Sequence, residues 1–245
     1  MLSMAGTAQS QNQSPVATPR TAAAVDPNAI RVQLSPELET TLASQMVGRI
    51  SALNATLGGA VAKGRTLVSM DCSESVAKLH MAEAEYAMAR ETLETKTGLR
   101  KLEAAGDMEV ALARAGAERA QAAIAVSQAQ IAQCTVLAPF SGRIVKLHVK
   151  PYQGVNMGSP LVEMVSDGPL KLRLNVPSRL LRSLRIGSAF EVDIDETGIT
   201  YTAKVTAINA RVDAVAQTLE LEARIDGRPV GLLAGMTGIA RFVAP

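Results

Sequence analysis

The chain has 245 residues, of which 47% are apolar and 2% aromatic, so it can fold into one or a few small domains with cores of Val, Ile, Leu, Met and Ala. Its 25 basic and 23 acidic residues are interspersed and leave a formal charge of +2, which provides no basic footprint for nucleic acid. No apolar run approaches the ~20 residues that cross a bilayer, and the Ala-rich stretch from Ala120 to Ala132 is broken by Gln and Ser.

From the amino terminus, Met1 to Asn28 is rich in Ala, Ser, Gln and Pro. Gly6-Thr7-Ala8 before Gln9 has the small-x-small form of a signal-peptidase site, but the charged and long apolar regions of a signal are missing. Two readings stand side by side: the remnant of an export signal, truncated or read from a displaced start, or a flexible tail. Residues 29–41 then read as a linker in which Ile30 to Leu34 forms a strand.

Two segments follow that repeat each other. Residues 48 to 70 align without a gap on residues 142 to 164, with nine identities: Gly48/Gly142, Arg49/Arg143, Ile50/Ile144, Leu53/Leu147, Val61/Val155, Gly64/Gly158, Leu67/Leu161, Val68/Val162 and Met70/Met164. Ordinary amino-acid usage would produce roughly one or two. Each copy predicts two short strands around a turn, Gly48 to Leu53 with Thr66 to Met70, and Gly142 to Val149 with Pro160 to Val165. Gly64 and Gly158 occupy the equivalent turns, where a residue without Cβ takes positive φ. One such hairpin cannot bury its apolar face alone, so the two copies predict one two-fold-like sandwich assembled from residues 42–72 and 135–167.

Between the copies, residues 73–134 are rich in Ala, Glu, Arg, Gln and Leu and contain no Pro, which predicts an antiparallel helical hairpin. Cys72, Leu79, Tyr86 and Leu93 are spaced by seven, with Ala82 and Ala89 as the second line of a heptad seam. In the second helix Val110, Ala117, Ile124 and Ile131 form one line, and Ala113, Ala120, Ser127 and Cys134 the other. Ser73 and Asp107 are expected as N-caps, and Gly98 and Gly106 as brackets of the turn. The register brings Cys72 and Cys134 to one level of the seam, which favours a disulfide across the hairpin's base; the alternative is two reduced thiols packed as small apolar groups.

After Asp167-Gly168-Pro169 the pattern returns to strands: Lys171 to Val176, Phe190 to Ile194, Thr200 to Ile208, Thr218 to Ile225 and Gly238 to Val243. A short helix from Ser178 to Arg185, capped by Ser178, lies among them. They predict a compact barrel over residues 168–245.

With the pieces in this order, the chain resembles the periplasmic adaptor, or membrane fusion protein, family over about residues 30 to 243. The resemblance lies in the half-motif Gly64-Arg65-Thr66-Leu67-Val68-Ser69-Met70-Asp71, and in Thr135-Val136-Leu137 followed by Ala138-Pro139-Phe140-Ser141-Gly142, which looks like an Ala-Pro-Phe-x-Gly signature. Val212-Asp213, Gln217-Thr218 and Leu233-Ala234-Gly235-Met236 look like the family's barrel-closing pattern. The resemblance implies an α+β fold: a lipoyl-like β sandwich (barrel-sandwich hybrid), split by an antiparallel α-helical hairpin and followed by a small β-barrel. It further implies a periplasmic location, no cofactor, an inner-membrane transporter and an outer-membrane channel as partners, and self-assembly into a homo-oligomer such as a hexameric ring. The channel contact falls on the hairpin tip, at Leu99, Arg100, Leu102 and Met108. Glu109 stands where the family's tip would carry Ser, and the sequence ends at Pro245, where many members continue into a membrane-proximal domain.

Other functions are weighed against these residues. A lipoyl or biotinyl carrier needs a Lys at the junction of the two half-motifs, which holds Met70-Asp71-Cys72 instead. His80 and His148 lie in different modules, and no HExxH, nucleophile elbow or P-loop accompanies them, so no enzyme is expected. Asp193, Asp195 and Glu196 read as a solvated loop. Ten Met, with Met81 and Met88 on one helix, raise copper or silver binding, although core or intersubunit packing explains them better. A structural oligomeric scaffold without export is the remaining alternative.

Overall fold

The computed structural model describes residues 29–227, 229 and 231–242. The possible signal remnant and Val243 lie outside them. Strand β1 (Ile30–Ser35) alternates buried Ile30, Val32 and Leu34 with outward Arg31 and Gln33. It closes a barrel with five later strands: β10 (Lys171–Pro177), β11 (Ala189–Ile194), β12 (Ile199–Ile208), β13 (Thr218–Ile225) and β14 (Thr237–Arg241). The order around the barrel is β1-β10-β13-β12-β11-β14, antiparallel throughout, with a bulge in β12 between Val205 and Ala207. The period-two pattern sends Leu172, Leu174, Val192, Ile194, Leu219 and Leu221 inward. Phe190 fills the barrel and stacks on Phe242 with ring centroids 4.6 Å apart. Burial of each large aliphatic chain contributes about 1.5–3 kcal/mol.

The remaining strands form the sandwich. One sheet runs β2-β9-β7-β4, from β2 (Glu39–Ala43), β9 (Pro160–Ser166), β7 (Gly142–Leu147) and β4 (Ala60–Val61). The other runs β6-β5-β3-β8, from β6 (Thr135–Leu137), β5 (Thr66–Met70), β3 (Gly48–Leu53) and β8 (Gly154–Val155). The repeat relation turns one sheet into the other, strand for strand. Hydrogen bonds obey it too: Ile50 N–H donates to the Gln153 carbonyl at 2.9 Å as Ile144 N–H donates to Gly59 at 3.0 Å, and Gly64 N–H donates to Ala138 as Gly158 N–H donates to Ser44, both at 2.8 Å. Ile50 and Ile144 share one core with Leu67, Val68, Leu161 and Met164.

Several boundaries differ from the sequence reading. The sandwich begins at Glu39 rather than at residue 42, because β2 pairs with β9 and occupies the place that β6 holds in the other copy. The strand expected to reach Val149 stops at Leu147, and β14 starts at Thr237 and stops at Arg241. The helix expected over Ser178 to Arg185 is a 3-10 helix over Ser178–Arg182, and the Ser178 side chain does not cap it. Residues 183–188 instead turn tightly back into β11, with Gly187 at φ 91°.

Candidate functional site: the helical arm

Helices α1 (Ser73–Lys101, 29 residues) and α2 (Asp107–Ala132, 26 residues) replace a direct β5–β6 connection. At 1.5 Å per residue they extend about 43 and 39 Å, far more than a strand connection needs. The seam follows the heptads: Leu79, Tyr86, Ala89 and Leu93 of α1, with Val110, Ala113, Ala120, Ile124 and Ile131 of α2, are half-buried, while Ala82, Ala117 and Ser127 are buried. Two helices alone cannot enclose a seam, and the outer sides stay open. Met81 and Met88 are 61% and 68% exposed, on the solvent side of α1, so packing in this core does not explain them.

Neither expected N-cap caps its helix. Both Ser73 and Asp107 are already helical, and Cys72 and Gly106 hold the cap positions without a side-chain bond. The duty at α1 falls to Asp71, whose Oδ1 accepts the Ser73 N–H at 3.2 Å. That backbone bond, more than the nearby Arg49, holds the Asp71 carboxyl below the ordinary carboxylate range. At the far end α1 runs through Gly98 instead of stopping there. It ends in a Schellman closure: Ala104 N–H donates to the Leu99 carbonyl at 2.9 Å, Glu103 N–H donates to Arg100 at 3.0 Å, and Glu103 takes the left-handed position at φ 59°. A glutamate there costs roughly 1 kcal/mol, a position that glycine would fill more easily.

At the tip Leu99, Leu102 and Met108 are 37%, 77% and 73% exposed, so three of the four expected contact residues present apolar surface to solvent. Arg100 differs, because its guanidinium pairs with the Asp107 carboxylate across the turn. A second rung follows, Lys96 Nζ to Glu109 Oε2 at 2.7 Å. The sequence reading missed both rungs. The signal was available: basic Lys96 and Arg100 precede the turn and acidic Asp107 and Glu109 follow it.

At the base a disulfide joins Cys72 and Cys134, with Cα atoms 5.9 Å apart. Cys134 is buried in the sandwich core, and its carbonyl accepts the Met70 N–H at 2.7 Å. The signature Ala138-Pro139-Phe140-Ser141-Gly142 lies next to this point. Ala138 is buried, Phe140 packs against the sandwich core, Pro139 is exposed, and the Ser141 hydroxyl accepts the Lys63 N–H. Gly142 has a steric duty: a Cβ there would stand 2.0 Å from the Val165 carbonyl oxygen. Gly64 and Gly158 sit at φ 82° and 81° in equivalent turns.

The remaining polar candidates have structural partners. His80 is exposed beside Glu83 at 3.3 Å. His148 lies just past the end of β7, its Nε2 3.4 Å from Glu163 Oε2 at an angle that makes no hydrogen bond. Asp193 pairs with Arg241 and accepts from the Thr200 hydroxyl. Glu196 accepts the Thr237 N–H at 3.0 Å, which lowers its pKa and ties the β11–β12 turn to β14. Among the described residues no cluster of three or more His, Cys, Asp or Glu could hold a metal ion, and no helix is long and apolar enough to cross a membrane.

No family model matches the chain. An uncharacterized protein of Haemophilus influenzae is 29% identical over 214 residues, 86% of this chain and 56% of that protein, so the chain spans about half the length of the curated relative it matches. Among solved structures, the membrane fusion protein Spr0693 of Streptococcus pneumoniae superposes with a TM-score of 0.76 at 18% identity, over 89% of this chain and 99% of that one. A MacA-MexA chimera carrying the Pseudomonas aeruginosa MexA α-hairpin domain gives 0.76 at 18% identity, over 86% and 78% of the two chains. The chain has the fold of these proteins, with a split sandwich, a helical arm and a closed barrel in one order.

Proposed function

We propose that this chain is a periplasmic adaptor subunit that links an inner-membrane transporter to an outer-membrane channel for efflux or secretion, and that it catalyses no reaction. The observation that carries this reading is the arm. A pair of helices about 40 Å long leaves a small sandwich, buries little of its own surface, and ends in exposed Leu99, Leu102 and Met108. An arm with no enclosed core of its own suits contact with other chains, either a channel at the tip or further copies of this chain along its sides. The similarity in fold to a membrane fusion protein and to a chimera bearing a MexA hairpin supports the same role. The disulfide suits an oxidising compartment such as the periplasm.

The test is export by cells carrying tip variants. Arg100→Glu with Leu102→Ala should impair export while the purified protein keeps its fold, and normal export would remove the tip from the mechanism. Because Arg100 also closes the turn, the exchange Arg100→Glu with Asp107→Arg separates the two duties. Export restored by the exchange assigns Arg100 to turn closure rather than to the channel. Normal export in a strain lacking the gene would favour a structural scaffold.

A further inference from the structure

One end of the barrel carries charge that the chain itself does not answer. Strand register places the 3-10 helix, the 183–188 turn and the 209–217 loop together at the end where β10 finishes and β13 begins. Ser178 N–H donates to the Gln217 carbonyl at 2.9 Å and Gly187 N–H donates to Val205 at 2.8 Å, which ties the three segments to that end. The two connections to the sandwich, residues 36–38 and 167–170, leave from the opposite end, beside Ser35 and Lys171. Arg179, Arg182, Arg185 and Arg211 are all exposed here, and none has a carboxylate within 4.0 Å among the described residues; Arg185 alone is engaged, its Nη1 donating to the Leu181 and Leu184 carbonyls at 3.0 and 2.8 Å. The nearby acid, Asp213, turns its Oδ1 onto the N–H groups of Val215 and Ala216 at 2.9 and 3.0 Å, which orders the loop tip and holds its pKa low. Elsewhere on the barrel the basic side chains, Arg31 excepted among the described residues, do find acids: Lys171 and Arg173 with Glu220 and Glu222, Lys204 with Asp226, Arg224 with Glu37 and Arg241 with Asp193. Among the four arginines stand Ile186, 71% exposed, and Val215, 96% exposed, each at the crest of a turn.

We propose that this end of the barrel docks on the anionic surface of a phospholipid bilayer. Exposed guanidinium groups reach phosphate oxygens in bidentate pairs, and each basic group near an anionic leaflet adds to the attraction. Aliphatic side chains on convex turns enter the boundary between headgroups and acyl chains. Ile186 and Val215 stand singly at the crests of their turns rather than packed together as the central anchor of a protein interface, which favours a headgroup layer. The first barrel strand begins and the last one ends at this same end, at Ile30 and Arg241. The proposal goes beyond the adaptor reading and does not depend on it.

Sedimentation of the purified full chain with vesicles tests it. The chain should bind vesicles of phosphatidylglycerol and phosphatidylethanolamine, more weakly as salt rises, and should leave phosphatidylcholine vesicles bare. Arg182→Glu with Arg211→Glu should lower the partition coefficient at least about tenfold, because two attractive groups become repulsive. Val215→Asp should weaken binding too, and reversal of the exposed Arg119 on the arm should not. Circular dichroism and thermal unfolding confirm that the variants fold. Equal binding to neutral and anionic vesicles, or unchanged binding by the double variant, overturns the proposal. Binding to no vesicle, with capture of an acidic membrane protein abolished by the same double variant, overturns it in favour of a protein surface. Lost export with normal vesicle binding bears on the adaptor reading alone.

Discussion

Two glycines at equivalent places in the repeat carry different loads. A Cβ at Gly142 would meet backbone, the Val165 carbonyl oxygen at 2.0 Å, and neither strand can retreat without breaking the sheet. At Gly48 the nearest atoms are the flexible methyl ends of Met70 and Met46, at 3.4 and 3.5 Å. Gly142→Ala should therefore destabilise the protein by at least about 2 kcal/mol, while Gly48→Ala should stay within about 1 kcal/mol of the parent. Urea unfolding of the two variants checks the contrast. Gly238 belongs with Gly142, since a Cβ there would lie 2.2 Å from the Asp193 carbonyl oxygen. The identity of Gly48 with Gly142 shows in sequence, but the difference in their surroundings does not, because it depends on which strand crosses close by.

The arm is held at two places of unlike strength. Its tip rungs, Arg100 with Asp107 and Lys96 with Glu109, join exposed groups and contribute about 0–1 kcal/mol each. Its base is clamped covalently between residues 62 positions apart, which in the chain-entropy model stabilises the fold by about 4 kcal/mol. Replacing both Cys72 and Cys134 by Ser should lower the unfolding midpoint by a large part of that amount and loosen the arm where it meets the sandwich. Urea titration measures the first, and hydrogen exchange in the first turn of α1 and the last of α2 measures the second. Heptad spacing identified the seam, because a repeat of seven holds side chains on one side of a helix whatever lies beyond it. The helix ends were less legible. Capping by Ser73 was displaced by Asp71, and the turn at Gly98 moved to Glu103, because the hydrogen bonds that decide an end come from neighbours and not from the residue's own preference.

At the scale of the molecule the sandwich and barrel each own a core, and the arm contributes almost nothing to either beyond Cys72 and Cys134. Replacing residues 73–132 by a short Gly-Ser loop should thus leave a soluble protein that unfolds cooperatively, with the near-ultraviolet signal of the barrel retained; loss of folding would show that the arm organises the sandwich. The sequence alone determined the module order, the heptad seam and the gross pairing of the two copies, since repeat spacing and apolar periodicity are local properties of the chain. It did not reveal that β2 is the counterpart of β6, because Thr41 and Thr135 are the single identity across those strands. The grouping of arginines without carboxylate partners at the barrel's end was equally hidden. Arg179, Arg182 and Arg185 lie in one segment and Arg211 in another, and only the tertiary structure, by bringing the two segments to one end and turning Asp213 onto its own loop, decided that their charge faces outward without a carboxylate within 4.0 Å among the described residues.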